Sequence, residues 1–453
     1  MVNSITEPPP PPSPRTSKDS SAPLERHCID FGGAKRMQPA TVVYGEGEPG
    51  FRRAWSLARS RGDELVVRGT GHSCDGQSLT RSVLLENSSG ATQPRLMRDG
   101  LVKLPSGMRW ATAEQWLNHR GLALPVLPDH LDMSVGGTLS AGGIGLTSIE
   151  YGLLADQVDR LRLLDGHGQA IWCSRHHQAE LFRFALGGLG QVGFIDAAVL
   201  HAVRYRQNAN LRRIYHESLD DLARFAVEVS DRPGIQHYCG HATRSSAASE
   251  FGTFGDDDPT KEPPPPESAA AETPTTTVPD FPFVLHQRRQ KWNDAFIDHL
   301  RMWTNYTFTS QGLRKFLSIL SQHWSAPPLN RCLSALTVFI LHRPPKATAF
   351  AFAPILPGQT VTYSIGLYFM VPRWNPILVA TARQALRTLL GHCCSLGGKP
   401  YLYGVNELDK HTNHRLYGTD TERLHVLRRE HALESLNPRS LPGQTQTNFR
   451  TSE

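Results

Sequence analysis

The chain has 453 residues, 39% of them hydrophobic and 20% charged, which suits a globular protein with two domains, each large enough for its own core. Its 48 basic and 42 acidic side chains leave a net +6, an excess too small and too dispersed to argue for a nucleic-acid partner. No window approaches roughly 18 consecutive apolar residues, so no membrane span is expected. Met1 to Glu25, rich in Pro and Ser, offers no secretory apolar stretch, which reads as a cytoplasmic chain. The seven cysteines (Cys28, Cys74, Cys173, Cys239, Cys332, Cys393, Cys394) have no metal-ligand spacing and are odd in number, so free thiols and no metal site are expected.

In chain order, Pro8 to Pro14 is low-complexity, and residues 1–25 are expected to be disordered. Ala40 to Tyr44 reads as a strand, Pro49 to Arg61 as a helix, and Glu64 to Arg68 as a strand ending at a Gly-rich turn. Ala111 to Arg120 reads as a helix, with Thr112 as N-cap and Gln115 at the capping-box spacing. Val158 to Leu164 alternates as a strand does, and a turn at Asp165 to Gly168 leads into Ala170–Cys173, giving a hairpin. Glu180 to Leu186 reads as a short helix and Gly193 to Val203 as a strand. Leu211 to His216 reads as a strand and Leu219 to Val229 as an amphipathic helix. Residues 242–280, rich in Pro, Ala, Thr and acids, are expected to form a disordered insertion. Gln359 to Val371 then reads as a strand and Ile377 to Leu390 as a helix. The mixture is α+β.

The most informative stretch is Val66-Val67-Arg68-Gly69-Thr70-Gly71-His72-Ser73, with Gly76-Gln77-Ser78 close behind. Glycines after an apolar strand let successive main-chain N–H groups point at one anion. Arg68, Ser73 and Ser78 add candidate donors for a pyrophosphate. His72, on the same turn, is held beside whatever the loop binds. By itself this is also what an ordinary turn with an incidental histidine looks like. Gly188 to Gly193 matches the dinucleotide fingerprint letter for letter, but a helical pattern precedes it and a strand pattern follows. That is the reverse of what a Rossmann site requires.

The run RGTGHSCDGQS, from Arg68 to Ser78, resembles the flavin-attachment loop of the vanillyl-alcohol oxidase superfamily, which carries a PCMH-type FAD-binding domain, and most of all that of the cytokinin dehydrogenases. Pro128 to Ser140 (PDHLDMSVGGTLS), Glu180-Leu181-Phe182 and Leu186 to Gly193 (LGGLGQVG) are similar to the later blocks of the same domain, in the same order. The resemblance implies an α+β, two-domain protein: an FAD-binding domain at 26–205, an α+β substrate (cap) domain at 206–400, and a segment at 401–453 that returns to the first domain. FAD is the implied cofactor, bonded covalently to His72. Its implied contacts are Arg68, Gly69, Thr70, Gly71, Ser73, Gln77, Ser78, Ser134, Gly137, Ser140, Ile144, Gly193, Ile195 and Gln444. A contacting tyrosine matches Tyr401 or Tyr403. A second, cysteinyl link would need a Cys near Gly142 to Thr147, and none is there.

The implied reaction takes a hydride from a C–H next to an alcohol or amine, with Asp129 as base; Asp132 does not match. Trp292, Trp303, Tyr306 and Phe308 are candidates for the substrate wall. The substrate is read as a cytokinin-like amine. The alternative is a carbohydrate or secondary-metabolite alcohol, since Glu150-Tyr151-Gly152-Leu153 is similar to carbohydrate-oxidising relatives. The electron acceptor is oxygen or another oxidant. A reading from a different class is a non-catalytic flavin-binding scaffold whose Pro-rich arms (Pro8–Pro14, Pro263–Pro266) bind partners.

Overall fold

A computed structural model of the protein describes residues 25–88, 92–255, 274–344 and 347–438. The Pro-rich runs at Pro8–Pro14 and Pro263–Pro266, nearly all of the segment read as a disordered N-terminus, and Gln444 lie outside the described residues.

The N-terminal domain is built on two sheets. β1 (Thr41–Gly45), β2 (Leu65–Arg68) and β3 (Val83–Asn87) form a parallel sheet in the order β1-β3-β2. The helix Gly47–Arg61 connects the first two strands and buries Phe51, Ala54, Trp55 and Ala58. β4 (Arg95–Leu96) and β5 (Leu101–Pro105) begin the second sheet. β6 (Leu122–Ala123) is a short strand set apart from both. β7 (Val158–Leu164), β8 (Ala170–Ser174) and β9 (Phe194–His201) complete the second sheet, which is antiparallel in the order β4-β5-β9-β7-β8. β10 (Val203–Arg204) pairs with β6. The predicted hairpin is β7–β8, whose register sets Leu164 opposite Ala170.

The second domain rests on one antiparallel sheet. Its strands are β11 (Asn208–His216), β12 (His237–Thr243), β13 (Ser246–Phe254), β14 (Thr276–Pro279), β15 (His299–Phe308), β16 (Leu333–His342), β17 (Val361–Pro372) and β18 (Lys399–Pro400). Their order is β14-β11-β13-β12-β16-β17-β15-β18. The helices Leu219–Ser230, Ser310–His323 and Pro376–Ser395 pack on it. Each starts at a side-chain cap: Ser218, Thr309 and Asn375 accept from the N–H groups of Asp221, Gly312 and Leu378. The helix Lys410–Glu430 then returns to the first domain, where Arg423 meets Glu180 and Arg428 donates to Gln191.

Two sequence expectations are corrected. Residues 242–280 are not wholly irregular, because they contain β13 and β14. β13 is hydrogen-bonded to β11 on one side and β12 on the other, and this pairing outweighs the weak strand preference of Ser246, Ala247, Ala248 and Ser249. The helix read from Ala111 begins at Trp110 with Arg109 before it, so Thr112 lies inside the first turn and does not cap it.

That helix buries Glu114, whose Oε2 accepts the N–H of Leu124 at 3.0 Å. Burial pushes its carboxyl up to about 8, against the opposing pull of the Leu124 N–H. Unfolded, the group ionises near 4.5, so the stability tied to its neutral form is complete below that pH and is lost as pH rises through about 8. A Glu114→Gln variant keeps the neutral shape at every pH. Denaturant titrations should therefore show its stability advantage over the parent growing by about 4 kcal/mol between pH 4.5 and pH 9. A gap that stays constant across that range contradicts a neutral buried Glu114.

Candidate active site

β2 ends at Arg68, and the chain then turns through Gly69 to Ser78. Contacts dictate two of its glycines. A Cβ on Gly69 would lie 2.1 Å from the Ser134 Oγ. Gly71 has φ +79°, and a Cβ there would meet the Arg68 guanidinium at 2.2 Å.

The structure corrects the role expected of Arg68. Its guanidinium lies beneath the loop, donating to the carbonyl oxygens of Arg26 (2.8 Å) and Ile29 (3.0 Å) and to the Ser78 hydroxyl (3.3 Å). It is 7% exposed and does not line the cavity, because the close approach of Gly71 keeps it below. The hydroxyls of Ser73 and Ser78 are also engaged inward. Ser73 donates to Asp30 Oδ2 at 2.9 Å and sits 2.7 Å from Ser78 Oγ. Asp30 further accepts the N–H groups of Gly76 (2.7 Å) and Gly33 (3.1 Å). Burial pushes its carboxyl up, and these hydrogen bonds and the Arg68 charge oppose that shift. Asp30 was not legible in the sequence, since no motif surrounds it.

With the side chains occupied below, the main chain is left to face the cavity. Among the described residues, nothing accepts from the N–H groups of Thr70, Gly71, His72, Ser73 or Cys74. This row of free donors, with no Cβ at Gly69 or Gly71, fits a pyrophosphate. Gln77 ties the loop to the C-terminal segment by donating to the Tyr403 carbonyl at 2.9 Å.

One cavity gathers most of the predicted cofactor residues. Gly69, Thr70, Gly71, His72, Ser73, Gln77 and Ser78 line it together with Ser134, Gly137, Ser140, Ile144, Gly193 and Ile195. Asn437 also lines it, its Oδ1 accepting from the Val67 N–H and its Nδ2 donating to the Gly190 carbonyl, both at 2.8 Å. The fingerprint look-alike Gly188 to Gly193 follows the helix Ala179–Ala185 and leads into β9, so it passes the cavity as a turn. Tyr401 and Tyr403 both face the cavity, which the sequence left open. Tyr401 accepts the Gly143 N–H at 2.8 Å, and Tyr403 donates to Asn305 Oδ1 at 2.6 Å.

His72 is stacked on Phe31, with centroids 5.0 Å apart. Its Nδ1 is 3.2 Å from the Thr70 hydroxyl, and its Nε2 is 3.4 Å from Nε2 of His130. Burial, then the neighbouring His130 and three arginines, push the imidazole down to about 3, so it is neutral at physiological pH. Beyond His130 stand His286 and Asp132, whose ligand atoms with those of His130 lie within 4.8 Å of one another. Nδ1 of His286 accepts the Leu131 N–H at 3.2 Å. Its proton therefore sits on Nε2, which faces the Asp132 carboxylate at 3.6 Å.

Asp129 lines the same cavity. Its Oδ2 accepts from Nε of Arg289 at 2.8 Å and from the Nη2 of that residue, while Oδ1 has no hydrogen-bond partner among the described residues. Burial works against the charge on Arg289, but the Asp129 carboxylate outweighs it and holds the guanidinium above its ordinary value. The rings of Trp292, Trp303 and Tyr368 surround the guanidinium at 5.3, 5.8 and 4.9 Å. Arg289 is a site residue that sequence spacing could not find, being 160 positions from its partner.

The strand pleat sorts the proposed aromatic wall. In β15, Trp303 and Asn305 face the cavity, whereas Tyr306 and Phe308 point the other way and pack on Phe316. Trp292 stands behind Trp303.

Residues 39–174 match the FAD binding domain family. Among curated proteins, the chain is 32% identical over 190 residues to an uncharacterized oxidoreductase of the fasciation locus of Rhodococcoides fascians, covering 42% of this chain and 43% of that protein. It is 33% identical over 184 residues to cytokinin dehydrogenase 4 of Oryza sativa subsp. japonica, covering 37% and 34%. Against cytokinin dehydrogenase 1 of the same plant it is 30% identical over 237 residues, covering 49% and 43%. The chain thus matches less than half the length of each of these relatives. The stretch 39–174 is thus similar to an FAD-binding domain, and this part of the chain carries its likeness to the cytokinin dehydrogenases.

Proposed function

We propose that the protein is an oxidoreductase that takes a hydride from a C–H next to an amine or alcohol, with FAD bonded to His72 and Asp129 receiving the substrate proton. The carrying observation is that His72 and Asp129 line one cavity although 57 residues and several strands separate them in the chain. FAD supplies a two-electron hydride acceptor there. The protein's part is to hold the loop's N–H groups toward an anion, to present a neutral imidazole, and to fix a carboxylate. Arg289 occupies Oδ2 of Asp129, so Oδ1 is the oxygen free to take an O–H or N–H proton. Trp303, Phe339 and Tyr368 line the same cavity.

That aromatic wall, together with the relatives' names, supports a cytokinin-like amine over a carbohydrate. Dioxygen or another two-electron oxidant would then recover the electrons.

Two experiments test this reading. When the purified protein is unfolded in acid, flavin fluorescence should remain with the polypeptide, and a His72→Ala variant should release all of its FAD. Free flavin from the parent protein removes the covalent bond. In anaerobic mixing with a panel of N-alkyl amines, alcohols and sugars, Asp129→Asn should slow flavin bleaching by about two to four orders of magnitude while still binding FAD. Bleaching at the parent rate removes Asp129 from the reaction, and no bleaching of the parent by any of the panel favours a non-catalytic flavin-binding scaffold.

A further inference from the structure

His130 matches nothing in the resemblance that assigns it work, yet its ring is the titratable group in contact with His72. The two centroids are 4.3 Å apart and the Nε2 atoms 3.4 Å. An imidazole that forms a bond through one nitrogen must give up the proton on the other, or it ends as a buried cation. The Thr70 hydroxyl, 3.2 Å from Nδ1, can donate to that nitrogen and so fix the His72 proton on Nε2, the atom that faces His130. We propose that His130 accepts the Nε2 proton of His72 as Nδ1 bonds to the flavin, making it a positioning base for cofactor attachment rather than for substrate oxidation. The proposal rests on the covalent reading above.

The surrounding charges favour this transfer. Burial, His130 and then Arg109, Arg68 and Arg301 all act against a positive His72. Burial pushes His130 down as well, and His286 and Arg289 add to that, but two carboxylates, Asp129 and Asp132, face it and favour its cation. A positive charge formed during attachment is therefore better placed on His130 than on His72. Nδ1 of His130 is buried and has no partner among the described residues, consistent with Nε2 as the working atom. Phe31 stacks on His72 and meets His130 edge-on at 6.1 Å, which limits water as a substitute base.

The Nδ1–C bond forms at the 8α methyl carbon, one C–H of that methyl breaks, and His72 loses its Nε2 proton to His130. The electron pair of the broken C–H reduces the isoalloxazine, which takes up both protons. Dioxygen then removes two electrons and two protons as hydrogen peroxide, and His130 is neutral again.

The test uses full-length protein produced in a riboflavin-starved host and mixed with FAD in air. Binding is followed by quenching of flavin fluorescence, and attachment by the fluorescence that stays with the chain after acid unfolding. His130→Gln and His130→Ala should bind FAD but attach it at least about tenfold more slowly at pH 7. Their rates should climb with pH as hydroxide replaces the lost base, while the parent rate levels off, and added imidazole should accelerate the Ala variant. Attachment at the parent rate and pH profile in both variants overturns the proposal. So does slowing by one constant factor at all pH values with no response to imidazole, since that marks a purely structural role. If the parent protein itself never attaches FAD, the covalent reading falls first, a result distinct from either of these.

Discussion

The cavity depends on what lies under its phosphate-facing loop. Asp30 accepts from Ser73, Gly76 and Gly33, and Arg68 donates to the carbonyls of Arg26 and Ile29 and to Ser78. The side chains of Arg68, Ser73 and Ser78, which one might have aimed at a phosphate, are spent on rigidity instead. The loop can then offer free main-chain N–H groups upward without collapsing, because an unsatisfied underside would cost more than the turn could bear. Gly69 and Gly71 make this possible by letting Ser134 and Arg68 come as close as they do.

Much of this was legible in advance where the signal was local. The Gly-His-Ser turn, the β7–β8 hairpin and the helix before Gly187 all follow from neighbouring residues, and the structure has them as read. What escaped depends on distance. Arg289 meets Asp129 only because the helix Phe281–Asp294 is bonded along positions 129 to 132, and Asp30 enters the loop from upstream of the first sheet strand. β13 escaped because its composition is that of a loop, and only pairing on both sides makes it a strand. Arg68 lies beneath the loop and does not line the cavity. A sequence shows that a cation stands beside a glycine turn, but not on which side of it.

The site therefore divides its labour. The first domain supplies the anion cradle, the imidazole and the carboxylate. The second supplies the guanidinium that orients the carboxylate and the rings of Trp303, Phe339 and Tyr368 that close the space.

The helix Phe281–Asp294 shows how tightly the halves are bound. His286 receives the Leu131 N–H, Arg289 grips Asp129, and Gln290 donates to Asp132 at 3.0 Å. One helix thus bonds to three of the four positions from 129 to 132, and it behaves as a brace of the first domain although the chain delivers it with the second. Grafting a foreign cap to alter substrate preference would remove this brace and leave the carboxylate unaimed. Such a chimera should retain the native helix and exchange only the strands around it.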